Sequence, residues 1–220
     1  MSGHADYRVW DLPVRLTHWL LVVLIALQYA SGQFELFDLE WHMLLGQVTL
    51  ALLVFRILWG VFGSDNARFR AFVRGPSAVF RHARTLTRRE PEYRPGHNPL
   101  GGWSITLMLL VLLLQAASGL FSSDDLGTVG PLADHVSERA VRWLTRVHKY
   151  GKNAMLVLIA LHLIGVAWHT LLKRETLIRP MFTGRRALPG DPGLRFASTT
   201  RAVVLALASG ALVWALVKLL

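Results

Sequence analysis

The chain has no cysteine. That absence excludes disulfides, iron–sulfur clusters, thiolate zinc sites and covalent haem attachment through a C-x-x-C-H motif. Any metal or redox chemistry therefore falls to histidine, of which there are nine. Charge is also scarce, at 17% of 220 residues against 53% hydrophobic. A soluble domain carries about 25% charged residues, and the mean hydropathy here is +0.39. The apolar residues fall in long runs, and runs of about 18 or more read as membrane spans. No small-x-small cleavage site follows the first run and further spans come after it, so it is not a cleaved signal peptide. Acidic residues are the scarcer sign, 14 against 24 basic ones, for a net charge of +10. The basic surplus sits in the loops between apolar runs, a signature of membrane topology that argues against a nucleic-acid partner.

Five spans are expected, over 16–34, 42–63, 101–121, 146–173 and 201–219. The fourth is longer than a bilayer requires, so its start projects or the helix tilts. Residues 64–100 hold Arg68, Arg70, Arg74, Arg81, Arg84, Arg88, Arg89 and Arg94 against Asp65, Glu90 and Glu92. Lys173, Arg174, Arg179, Arg185 and Arg186 follow the fourth span. Both segments belong on the cytoplasmic side. The first connection, "QFELFDLEW", is acidic, and the 122–145 loop is mixed, with Asp124, Asp125, Asp134 and Glu138. The N-terminus is thus expected in the cytoplasm and the C-terminus in the periplasm. Pro76 can open a short helix on the anionic leaflet, or its segment can be a basic loop that only sets topology.

"QYASGQF" (28–34) and "QAASGLF" (115–121) echo each other at the outer ends of the first and third spans. Their small residues permit close approach of another helix or of a flat ligand.

Five histidines lie within or at the ends of spans, where ionisable groups are costly and point to function. His148 and His162 stand 14 residues apart on the fourth span. That is roughly 21 Å of rise, returning to within about 40° of one face. His42 opens the second span at the depth of His148, and His18 lies on the first span at the depth of His162. Two bis-imidazole sites result, stacked across the bilayer. A bare metal ion wants three or four converging ligands, whereas two opposed imidazoles suit the axial positions of a haem iron. Arg15, one turn from His18, is a propionate contact or a snorkelling anchor. Arg56, deep in the second span, is the stronger candidate for a propionate. Trp10 and Trp19 read as interface anchors.

"VWDLPVRLTHW", "WHMLLGQ" and "VHKYGKNAMLVLIALH" resemble the bacterial cytochrome b561 family. That family includes the b-type cytochrome subunits of membrane-bound nickel–iron hydrogenases. The resemblance covers about residues 8–185 and implies an all-α integral membrane protein. It would be a four-helix transmembrane haem-binding bundle plus a fifth C-terminal transmembrane helix, with 1–185 as the di-haem domain and 186–220 as linker and extra span. It further implies two haem b groups as cofactors, with His18 and His162 ligating the inner and His42 and His148 the outer. His169 is expected at a propionate or a quinone, with an alternative ligand role open. His97 is a candidate quinone or proton contact, or a plain polar group at a helix start. His82 and His135 are expected at the surface, and His4 in a disordered tail.

The implied function is electron transfer between a periplasmic redox partner, a c-type cytochrome or a hydrogenase-like subunit, and the quinone pool of the bacterial inner membrane. Lipid, quinone and a second copy of the chain complete the expected partners. A periplasmic oxidase of a small reductant such as superoxide is the alternative, and a non-redox transporter or scaffold a further one.

Overall fold

A computed structural model describes residues 4–36, 38–87, 91–124 and 127–219. Arg88, Arg89, Glu90 and Asp125, used above to read topology, lie outside the described residues. Five helices are long and apolar enough to cross a membrane. They are α1 (Leu12–Phe34), α2 (Leu39–Phe62), α5 (Pro99–Gly119), α6 (Glu138–Ala167, continued by a π turn over Trp168–Leu172) and α8 (Thr199–Leu219). The expected spans match these within a few residues except at the start of α6. There the helix runs one polar stretch further out, with Arg142 paired to Glu138 at 3.2 Å. Between α2 and α5 lie a short 3-10 turn (Asp65–Ala67), α3 (Phe69–Phe72) and α4 (Pro76–Ala83). Pro76 does open α4, where the missing N–H costs nothing. After α6 come α7 (Ile178–Thr183) and β2 (Arg185–Leu188), which pairs antiparallel with β1 (Ala5–Arg8).

The chain divides into two compact units. The first comprises 1–16, 58–108 and 158–202; the second 17–57, 109–157 and 203–220.

In the first unit the chain from His4 onward is ordered, contrary to expectation. Strand β1 pairs Ala5 with Leu188 and Arg8 with Arg185, and the His4 ring lies 4.7 Å from that of Tyr93. Asp11 caps α1, its Oδ1 accepting the Val14 N–H at 2.9 Å. The other oxygen accepts the indole N–H of Trp59 at 2.9 Å, so the buried carboxylate is satisfied on both sides. Trp10 is no interface anchor: it is 8% exposed and packs on His97, with ring centroids 4.8 Å apart. Gly184 closes α7 in a left-handed conformation, φ 75°, with its N–H on the Pro180 carbonyl. Asn66 ties the loop to both sides, donating to the carbonyls of Val9 and Pro95. The linker before α8 is fastened to the end of α2, because Arg195 exchanges bonds with Asp65 and the Ala197 N–H reaches Ser64 Oγ.

In the second unit a core of Leu50, Leu120, Leu132 and Val213 joins α2, the connection after α5 and α8. The fifth span therefore packs on the second helix rather than standing apart. Thr49, buried on α2, accepts a hydrogen bond from Gln28 of α1 at 2.7 Å.

Candidate haem site

Helix α2 begins with Trp41 and His42 donating main-chain N–H groups to the Asp38 carbonyl. That start turns the His42 ring toward His148 of α6. The two imidazole centroids are 6.2 Å apart with planes at 87°. Two imidazoles sharing one iron at metal–nitrogen distances of about 2 Å have centroids roughly 6 Å apart. His148 Nδ1 lies 2.9 Å from the Gln115 carbonyl. A carbonyl only accepts, so Nδ1 carries the proton and the Nε2 lone pair is left for a metal. Gln115 completes the clamp by donating its side-chain N–H to the His148 carbonyl at 3.0 Å.

The echoed sequence segments now acquire a structural meaning. Gly119 of the second copy lies against His148, and a Cβ there would meet the ring at 2.9 Å. Gly32 of the first copy lies against His42, where a Cβ would meet the ring at 3.3 Å. Each copy thus brings a helix backbone against one imidazole, and each carries a glutamine one turn earlier. The Gln28 main chain lies within hydrogen-bonding influence of His42, although the buried Nδ1 closes no bond of ordinary distance and angle.

A cavity of about 370 Å³ opens between these groups, lined by both glycines, both histidines, Met43 and Leu112. Its volume falls in the range of small-molecule sites. Lys149, Lys152, Ser122 and Thr128 also line it. Among the described residues no three His, Asp or Glu side chains converge on a bare metal ion. An imidazole pair at bis-axial separation, an unbonded buried ring nitrogen and two glycines flat against the rings fit a haem instead.

The remaining predicted residues are placed as follows. His18 and Arg56 belong to the second unit, and Arg56 is only 7% exposed within an apolar helix. His162 and Arg15 belong to the first unit. Arg15 donates to the Phe182 carbonyl and its guanidinium packs against Gly184. His97 is half-buried between Trp10 and Phe72.

His169 is buried in a polar cluster that the sequence reading did not foresee. Its ring stacks on His82, centroids 6.4 Å apart and planes at 13°. His82, expected at the surface, is 4% exposed because α4 folds that side of its last turn inward. His135 is exposed as expected. Glu175 Oε1 lies 3.4 Å from His169 Nδ1, and Glu92 Oε1 lies 3.4 Å from His82 Nδ1 and 3.6 Å from Lys173. Arg186 binds Glu175 and the Glu92 and Arg94 carbonyls. Burial pulls His82 below its ordinary value against the opposing pull of Glu92, with Arg94, Lys173 and His169 adding to the fall. Burial would raise Glu92, but His82, Arg94 and Lys173 outweigh it and hold the carboxyl low. Glu175 is likewise held low, its burial outweighed by His169, the Glu92 N–H and Arg186. The run "HTLLKRE" held the signal for this cluster in its polar residues just past the span.

The family model described as prokaryotic cytochrome b561 matches residues 9–184. A probable Ni/Fe-hydrogenase B-type cytochrome subunit of Bradyrhizobium diazoefficiens is 23% identical, with 84% of this chain and 87% of the relative covered. A protein of the same description from Rhizobium leguminosarum bv. viciae is 24% identical, over 81% of this chain and 87% of its own length. No solved structure matches the chain significantly. With a family match over most of its length, five membrane-length helices and a paired-histidine pocket, the chain belongs to the prokaryotic cytochrome b561 family, as a multi-pass membrane b-type cytochrome of electron transport.

Proposed function

We propose that this protein carries electrons across the bacterial cytoplasmic membrane through two haem b groups, between a periplasmic redox partner and the quinone pool. The observation that carries the reading is the His42–His148 pair at 6.2 Å, with its glycine cradle. When bound, haem would supply a one-electron change at its iron, with His42 and His148 as the residues that would hold it. The chain's part is to hold and insulate. Gln115 fixes the His148 tautomer, Gly32 and Gly119 admit a flat ring, and the apolar lining keeps the local dielectric low.

The second haem is assigned to His18 and His162, by the 14 residues that separate His162 from His148 on α6 and by the family resemblance. Arg15 and Arg56 would face its propionates, and Arg56 supports this by being a buried cation in an apolar segment. Residues 1–185 form the haem-binding part, and 186–220 the linker and extra span. His97 is the candidate contact for quinone or propionate, and His169, with Glu175 beside it, the candidate contact for quinone. Because the named relatives are described as hydrogenase subunits, a hydrogenase-like subunit or a c-type cytochrome is the partner proposed, on the periplasmic side.

A reduced-minus-oxidised spectrum of the purified protein should show b-type haem bands, and a colourless protein would refute the reading. His148→Ala should retain one haem of two on quantification. Loss of both, or of neither, would refute the pairing. The lysines lining the outer cavity, Lys149 and Lys152, also favour a second reading, direct oxidation of a small anionic reductant such as superoxide. Stopped-flow mixing with superoxide should reduce the haem, more slowly when both lysines are replaced by glutamine; no reduction by superoxide would remove this reading.

A further inference from the structure

The buried cluster around His82 and His169 is not needed to hold either haem, and its composition does not suit a propionate. Glu92 and Glu175 already neutralise much of its positive charge, so an added carboxylate would meet two others. Two imidazoles and two carboxylates close together out of water are instead the makings of a site that holds a proton.

The groups that face this pair come from every element packed around it. Helix α4 contributes His82, with Thr85 just beyond it, and the following segment contributes Glu92 and Arg94. The start of α5 contributes Asn98, whose amide lies 3.4 Å from His169 Nε2. The π turn and the residues after it contribute His169, Lys173 and Glu175, and β2 contributes Arg186. With both imidazoles neutral, Lys173, Arg94 and Arg186 exceed the two carboxylates by one positive charge. His82 Nε2 is buried with no hydrogen-bond partner, while Nδ1 faces Glu92. A nitrogen so placed is a bare lone pair at rest, and it can take a proton when the local potential turns more negative. Lys173 is 1% exposed, so that charge cannot turn away into water. The way in is short, because the Glu92 side chain is 24% exposed and bonded to an exposed Arg94.

His169 follows His162 by seven residues, about 10 Å of rise along α6 and the π turn that continues it. An added electron at a centre held by His162 would be felt in the cluster through low-dielectric protein.

We propose that the His82–Glu92–His169–Lys173–Glu175 cluster binds one proton when an electron reaches the centre held by His162, and releases it when the electron leaves. This rests on the electron-transfer reading above. One electron arriving is matched by one proton entering from the adjoining aqueous phase at His82 Nε2. The electron's departure returns the proton, so charge balances in both directions.

The test is a spectroscopic redox titration of the full-length protein in lipid nanodiscs at a series of pH values, with proton uptake read by an indicator dye. One of the two haems should show a midpoint potential that falls as pH rises, over a window opening below the ordinary histidine value. His82→Gln and His169→Gln should flatten it and abolish the uptake, with haem content unchanged. His135→Gln, at an exposed histidine, should leave it intact. Should those variants misfold, Glu92→Gln serves alone: it removes the group that raises His82, so the window should move to lower pH. Two haems with pH-independent potentials in the unaltered protein, or a slope indifferent to these substitutions, would overturn the proposal alone. Absence of haem would overturn the electron-transfer reading and this proposal with it.

Discussion

At the scale of single residues, Gly119 and Gly32 set the tolerances of the outer site. A methyl at Gly119 would sit 2.9 Å from His148 Cε1, closer than real Cβ contacts come, and His148 is held by Gln115 and cannot swing away. A methyl at Gly32 meets His42 at 3.3 Å, and that ring has no comparable bond to hold it. Gly119→Ala should therefore lower the haem content per chain toward one, and Gly32→Ala should lower it less, as pyridine haemochrome assay will show. The buried cluster gives a second expectation. His82, Glu92 and Glu175 are all shifted downward, so in each case the unfolded chain binds more protons and stability rises with pH. The His82 contribution is complete above its ordinary 6.5 and fades as pH falls below it. The carboxylate contributions are complete above their ordinary 4.5 and fade below that. Melting temperatures of the unaltered protein should drop in two stages on acidification, and Glu175→Gln should shrink the lower stage. It should also destabilise the protein at neutral pH, by leaving Arg186 buried without its carboxylate. His42 and His148 were legible beforehand because they stand on regular helix, where spacing gives depth and face. His82 was not, since nothing in a short basic segment says which side of α4 will be covered.

Among the elements, regularity decided what could be read. The five long helices follow from apolar runs alone, because lipid leaves the backbone no other way to satisfy itself. The repeat at the ends of α1 and α5 was visible as sequence, and only the structure shows that each copy serves one histidine. The end of α6 does not keep the helical period. A π turn over Trp168–Leu172 adds a residue to the turn and rotates everything after it, so counting by 3.6 fails beyond Ala167. That turn delivers Lys173 and Glu175 inward, where an ideal helix would have spread them around its surface. The N-terminal end of α1 shows how an element's start can be fastened. Asp11 both caps the helix and receives Trp59 from α2. Asp11→Ala should cost about 1–2 kcal/mol for the lost cap and strand a buried indole N–H besides. Trp59→Phe, which removes only the second bond, should cost less. Thermal melts of both variants, with haem absorbance as the probe, will rank them.

For the molecule as a whole, one short pairing constrains the topology more tightly than any charge count. Strands β1 and β2 hydrogen-bond directly, so residues 5–8 and 185–188 must lie on one side of the membrane. Between them lie α1, α2, α5 and α6, an even number of crossings, as the pairing demands. The connection between α2 and α5 joins the same side, through Asn66 to Val9 and Arg186 to the Arg94 carbonyl. That side gathers Arg8, Arg68, Arg70, Arg74, Arg81, Arg84, Arg94, Arg179, Arg185 and Arg186, all in short segments near helix ends. Retention of arginine in short loops on the cytoplasmic side makes the cytoplasm the side expected for this set. Crossing α8 takes the chain to the opposite face. A fluorescent protein fused after Leu188 should therefore glow, folding in the cytoplasm, whereas the same fusion at Leu219 should stay dark. Alkaline phosphatase at the two positions should give the opposite pattern, inactive after Leu188 and active at Leu219. If both positions report the same side, α8 does not span. If both reporters invert, the orientation is reversed and the His42–His148 site faces the cytoplasm, which would move the soluble redox partner to that side.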